Sequence, residues 1–290
     1  MRVATYASVA VALVLIGIKF AAWTMTESVS LLSTLIDSML DALASIVNLI
    51  AIHHALQPAD REHRFGHGKA EPLAGLAQAA FICGSAAFLL LEAGERLIHP
   101  KAITNTDVGY AVMGISIVLT VALVVFQRYV VRRSGSLAIG ADSLHYQTDV
   151  MINISVIVSL YIASEFGISY ADPLFAVAIA GYIVVGAVKI GRQSLDILMD
   201  KELADAERAR IREIVTRHAD VHGMHDLRTR SSGAQVFIQM HVEMAPDMTL
   251  LQAHDVTDAV TADLLAVYPN AEIIIHEDPE GLEEDRAVFR

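Results

Sequence analysis

Long apolar runs, nearly all of them before residue 200, constrain this chain more than any other feature. A helix needs about 20 apolar residues to cross the hydrocarbon core of a bilayer. Six stretches approach that length, at roughly 4–25, 31–56, 73–98, 107–130, 137–164 and 172–191, with Gly, Pro, Ser or charge between them. The expected fold is therefore an α-helical membrane protein with six transmembrane helices. Composition agrees, since 54% of the 290 residues are hydrophobic, against roughly 45–50% in an average soluble domain. The first run, Val3 to Phe20, lacks an A-x-A cleavage signal and is followed by further spans, so a retained helix is expected rather than a signal peptide.

Charge in the short loops sets an orientation. Arg61, Arg64 and Lys69 follow the second span and Arg128, Arg132 and Arg133 the fourth, while the segments after spans one and five carry no Lys or Arg. The positive-inside tendency places the basic loops, and with them both termini, in the cytoplasm. Arg96 and Lys101 after span three run against the trend.

From about residue 201 the chain becomes polar, with nine Lys and Arg, eighteen Asp and Glu, and six of the twelve histidines. The division is thus 1–200 for the membrane part and 201–290 for a second domain. The second part reads as helix (Ala204 to His218), strand (His225 to Arg230), strand (Gln235 to Glu243), helix (Leu250 to Tyr268) and strand (Ala271 to His276). Ser231-Ser232-Gly233 supplies a hairpin turn, and Val236, Ile238, Met240 and Val242 alternate as in a half-buried strand. The order αββαβ suggests a small α+β sandwich. Its net charge of −9 argues against nucleic acid as a partner and for cations.

Twelve histidines and one cysteine, Cys83, exclude an internal disulfide and a thiolate cluster, so metal chemistry here must use imidazole and carboxylate. Span two holds Asp37 and Asp41, and span five holds His145 and Asp149. Each pair is spaced i, i+4, on one helix face about one turn apart. An ionised carboxylate at bilayer depth costs at least ~2.5–3.5 kcal/mol, which calls for compensation. A divalent cation between the two faces supplies it, and four N and O ligands suit tetrahedral Zn²⁺ better than octahedral Mg²⁺. Asn48, Gln147 and Asn153 are expected as hydrogen bonders between helices, and Asp142 as a residue stabilised by the start of its helix.

The pairs Asp37-xxx-Asp41 and His145-xxx-Asp149, followed by the loop QPADREHRFGHGKAE, resemble the cation diffusion facilitator family, nearest to its bacterial zinc and ferrous-iron efflux pumps. The resemblance covers nearly the whole chain. It implies a homodimer in the bacterial inner membrane, each protomer exchanging a metal ion for protons by alternating access. It also implies a metallochaperone-like cytoplasmic domain and no cofactor beyond the metal ions. In that family a histidine in the span-five pair accompanies use of Zn²⁺ and Cd²⁺; Fe²⁺ also accepts such ligands. The resemblance marks Asp60, His63 and His67 as a second site in the loop after span two. It further implies a two-metal cytoplasmic site of His225, His241, His254, His276 and Asp278, with Asp278 able to bridge, and a charge interlock between Lys69 and Asp200. Independently of it, a hairpin at Ser231-Ser232-Gly233 sets His225 nearly opposite His241.

Two other functions fit parts of the sequence. A membrane-anchored metal sensor would not need costly carboxylates inside its anchor. An intramembrane metalloprotease would need H-E-x-x-H and a spare glutamate near the membrane site, and neither is present.

Overall fold

The computed structural model describes residues 1–27, 29–98, 107–166 and 170–281; Lys101 lies outside them. Two units are present, Met1–Leu195 and Asp196–Arg290.

The first unit is six helices: α1 (Arg2–Thr26), α2 (Val29–Ala55), α3 (Ala70–Ile98), α4 (Asp107–Ser134), α5 (Leu137–Phe166) and α6 (Ala171–Leu198). At about 1.5 Å rise per residue each is longer than the ~30 Å hydrocarbon core. Their ends follow local chemistry. Gly135 takes a left-handed conformation, φ 66°, and its N–H caps the Val131 carbonyl at 2.8 Å, stopping α4 just past Arg132 and Arg133. At the next residue, the Ser136 hydroxyl accepts from Ile139 N–H at 3.3 Å and opens α5.

Inside and outside are reversed relative to a soluble bundle. Large apolar side chains such as Leu13, Phe88, Val118 and Val185 face outward, as lipid contact requires. Small residues, among them Ala4, Ala12, Ala79, Ala86, Ala180 and Ala187, fill the interior with Ser8 and Ser45. In lipid no hydrophobic force drives helices together, so close van der Waals packing and interhelical hydrogen bonds must hold them. Gly186 shows how close this packing is: a Cβ there would come within 2.7 Å of a Leu144 methyl, so any larger residue would make that leucine move.

Over the described residues five of the helices, α1, α2, α3, α4 and α6, are long and apolar enough to cross a membrane. The remaining one, α5, carries Asp142, His145, Gln147, Asp149 and Asn153 ahead of an apolar run. This polar helix packs against α2, α3 and α4 and is lined by buried residues over its first turns.

The second unit is α7 (Asp205–Val215), β1 (Gly223–Ser232), β2 (Gln235–Met244), α8 (Leu250–Val267) and β3 (Ala271–Pro279). The sheet order is β1-β2-β3, with β1 antiparallel and β3 parallel to β2. Alternation along β2 sends Ile238, Met240, Val242 and Met244 to one face, where they pack with Ile211 and Val215 of α7 and Val260 and Leu264 of α8. His241 belongs to the other face. A Thr249–Gln252 capping box starts α8, and Gly233, φ 61°, makes the hairpin turn.

Candidate metal centres

In the first unit α2 and α5 bring Asp41, His145 and Asp149 together, one ligand atom from each lying within 4.8 Å of the others. His145 Nε2 stands 2.8 Å from Asp41 Oδ1. Asp37, a turn earlier on α2, is not in this three-residue cluster, although its charge reaches both Asp149 and Asp41. Three ligands of N and O type with room for another donor suit a cation that enters and leaves.

What presents His145 to Asp41 is the residue three positions before it. Asp142 is not a helix-end carboxylate in the expected sense: it is buried and accepts from four helices at once. Its donors are Ser8 of α1 at 2.7 Å, Ser45 of α2 at 3.4 Å, Gln78 of α3 at 3.3 Å and Gln127 of α4 at 2.7 Å. Four donors fill the acceptor capacity of a carboxylate. One turn along, Tyr146 is buried and its hydroxyl meets that of Ser45 at 3.0 Å. Asn48 donates to the Ala138 carbonyl at 3.1 Å, bridging α2 to α5 as expected, and Gln147 accepts from Arg128. Asn153 departs from expectation. It turns back on the Asp149 carbonyl of its own helix at 2.8 Å rather than to a neighbouring helix among the described residues.

Lys19, which sequence reading passed over, also belongs to this region. Its Nζ donates to the Thr34 carbonyl at 3.1 Å and to Ser38 Oγ at 2.6 Å, and its electrostatic partners are Asp41, Asp149 and Asp37.

Between α2 and α3, Asp60, His63 and His67 form a second cluster with ligand atoms within 4.8 Å of one another. Asp60 Oδ1 accepts the backbone N–H groups of His63 at 2.7 Å and Glu62 at 2.9 Å, a local turn that points the carboxylate back at both histidines. Donation from His63, then from Glu62, holds this exposed carboxyl below the ordinary carboxylate value. Buried Nδ1 of His67 has no hydrogen-bond partner among the described residues.

In the second unit the strand register does the assembling. His225 is the Cα partner of His241, and His241 that of His276, so three histidines stand in a row across the sheet. The rings are 5.0 Å apart in the first pair and 4.6 Å in the second. Buried Asp278 serves all three: Oδ2 lies 2.8 Å from His241 Nδ1 and 3.3 Å from His225 Nε2, and Oδ1 lies 3.1 Å from His276 Nε2. Both oxygens are engaged on different sides, the geometry of a bridging carboxylate. His225 Nδ1 is buried without a hydrogen-bond partner among the described residues, as a donor atom kept for an ion would be. His254 stands elsewhere, exposed and 3.5 Å from Asp258. Two acidic neighbours were not anticipated: Glu243, 3.5 Å from His225, and Asp226, 4.0 Å from His241 at a bulge where its φ is 47°. The bulge between His225 and Arg228 is the cause, since one extra residue re-aims a side chain that regular pairing would send to the opposite face. His218 and His222 pair with Asp263 and Glu280 away from the cluster.

Lys69 and Asp200 fall in different units; Asp200 accepts from Arg230 at 3.3 Å.

A helical membrane bundle with carboxylate and imidazole ligands gathered in its interior, followed by a sheet carrying a second ligand cluster, defines a membrane transporter of metal cations. Residues 5–199 match the cation efflux transmembrane domain and residues 203–280 the cytoplasmic domain of cation efflux proteins. The chain belongs to the cation efflux, or cation diffusion facilitator, family. It is 47% identical over 283 residues to the cation-efflux pump FieF of Shewanella oneidensis, covering 98% of this chain and 95% of that one. With the FieF pump of Salmonella arizonae it shares 48% identity over 276 residues, covering 95% and 92%. Among solved structures it is similar to the metal-bound C-terminal domain of the CzcD transporter from Thermotoga maritima, at 28% identity, 28% of this chain, 100% of that domain and a TM-score of 0.27.

Proposed function

We propose that the chain is a proton-coupled antiporter that exports divalent transition-metal ions, Zn²⁺ with Cd²⁺ and Fe²⁺, from the cytoplasm by alternating access. The observation that carries this reading is the meeting of Asp41, His145 and Asp149 between two helices of a membrane bundle. Asp37, one turn earlier on the same face of α2, is the fourth ligand in this reading. Metal binding needs a neutral imidazole and ionised carboxylates, so protons and metal compete for one set of atoms. Imidazole is the side chain whose ordinary titration lies between pH 5 and 8, which makes His145 the natural proton carrier. Protons load from outside as metal leaves, and depart inside as metal enters.

In this reading residues 1–200 transport and residues 201–290 bind metal and pair two copies into a homodimer in a bacterial inner membrane, with both termini cytoplasmic. Asp60, His63 and His67 hold an ion at the cytoplasmic face. His225, His241, His276 and Asp278 hold the regulatory ions, with His254 contributing to the second. The donor set fits such ions because it is rich in imidazole, has a bridging carboxylate and leaves one buried nitrogen unpartnered. Bound ions relieve the self-repulsion of a domain of net charge −9. Lys69 and Asp200 orient the two parts. An exposed Lys–Asp pair contributes only ~0–1 kcal/mol, so its value is in direction rather than energy.

The test is flux into proteoliposomes of Zn²⁺, Fe²⁺, Cd²⁺ and Mn²⁺ under a fixed pH gradient. Asp149→Ala should abolish it. A His145→Ala protein that moved zinc with an undiminished response to the gradient would remove the proton-carrier role.

A further inference from the structure

Lys19 has no part in the transport scheme above, yet it is an ammonium group well inside a membrane helix. A lysine in a span ordinarily snorkels to the nearer headgroup layer. This one reaches inward, to the Thr34 carbonyl and the Ser38 hydroxyl, and Ser38 is buried on α2 between Asp37 and Asp41. Its electrostatic partners are the carboxylates of Asp41, Asp149 and Asp37.

The geometry points to Lys19 as a specificity-determining residue that sets the valence of the ion the membrane site takes. The inference rests on the proposed transport site of Asp37, Asp41, His145 and Asp149, with Asp37 included as its third carboxylate. An ammonium has three donors and no acceptor, so Lys19 is not a ligand. Its contribution is a fixed positive charge. Three carboxylates, one ammonium and a neutral imidazole leave two negative charges, which one dication cancels. Net charge at membrane depth is costly, so the neutral, loaded site is the stable one. Without Lys19 three negative charges remain. Such a site holds a dication too tightly to release it quickly, and it becomes matched to a trivalent ion.

The experiment compares zinc flux in proteoliposomes of the full chain for the wild type, Lys19→Gln, Lys19→Arg and Asp149→Ala, with and without Tb³⁺ as competitor. Glutamine keeps a donor for Thr34 and Ser38 but removes the charge; arginine keeps the charge. Lys19→Gln is expected to lower the KM for zinc about tenfold and lower maximal flux with it. Tb³⁺ should then inhibit at concentrations about tenfold below those the wild type needs. Lys19→Arg should stay close to the wild type on both readings. A Lys19→Gln protein with wild-type KM and Tb³⁺ sensitivity, alongside an inactive Asp149→Ala, would overturn the inference. Equal loss of flux in the Gln and Arg proteins with KM unmoved would do so as well, because shape rather than charge would be at work. A neutral amide is easier to bury than an ammonium, so failure of Lys19→Gln to give monodisperse protein would show a purely structural role and count the same way. Persistent flux in Asp149→Ala would instead remove the transport-site reading.

Discussion

Replacing Asp142 by leucine removes the acceptor on which four helices converge, and the neighbours' alternatives set the cost. Ser8 can fall back on the Ala4 carbonyl at 3.1 Å, Ser45 on the Tyr146 hydroxyl at 3.0 Å, and the Gln127 amide on Ser8 Oγ at 2.9 Å. The Gln78 amide has no such fallback among the described residues, and an orphaned buried donor costs ~1–3 kcal/mol. Adding the lost short bonds to Ser8 and Gln127 brings the total to ~3–5 kcal/mol. Asp142→Asn should be far milder. Gln127 Oε1 is buried without a partner, so a flip of that amide would present an acceptor to the new side-chain N–H₂, limiting the loss to about 1 kcal/mol. The assay is the apparent melting temperature of the full chain in nanodiscs. Asp142→Leu should fall by on the order of 10 °C and Asp142→Asn by a few degrees. A leucine protein as stable as the wild type would refute the idea that this carboxylate holds the bundle together.

Three further outcomes follow from the geometry. Ile238→Ala empties a fully buried position on the central strand and should destabilise the second unit by ~2–5 kcal/mol, read as faster amide exchange along β1 and β2. The Tyr268 hydroxyl donates to Glu207 at 2.6 Å, and burial, then Glu207, pushes its pKa up to about 12. A raised folded-state value means this stabilisation is complete below about 10 and lost as pH rises from there through about 12; Tyr268→Phe should abolish that alkaline dependence in melts taken across the window. Because Asp60 sits below the ordinary carboxylate value, its turn should persist down through pH 4 and open only as pH falls through that lowered value. Glu62 and His63 amide shifts would report it, and opening above pH 4 would contradict the assignment.

Much of this was legible because periodicity and charge cost act locally. Apolar runs located six helices, and the i, i+4 pairs put Asp41, His145 and Asp149 on facing surfaces. Alternation along β2, with a glycine turn before it, was enough to pair His225 with His241. What escaped depends on contacts distant in sequence. Asp142 looked like a helix-end carboxylate because none of its four donors is within a turn of it. Lys19 is one charge in an apolar run, and only the position of α2 reveals what it faces. Asp226 enters the cytoplasmic cluster through a bulge, which changes the face of a side chain without any mark as strong as the pattern it interrupts, whereas Glu243 shares the face of His241 by the alternation of β2 and could have been read from it. His254 was grouped by resemblance, and a helix face is not bound by the register that aligned the strand histidines.

The polarity of α5 bears on how the protein comes to be in a membrane at all. That helix carries Asp142, His145, Gln147 and Asp149 in its first half, and each group that satisfies Asp142 comes from one of the four helices made before it. Synthesis thus builds a socket before the plug emerges from the ribosome. A circularly permuted chain that began at α5 would have to carry the Asp142 carboxyl into lipid before any of its four donors had been made.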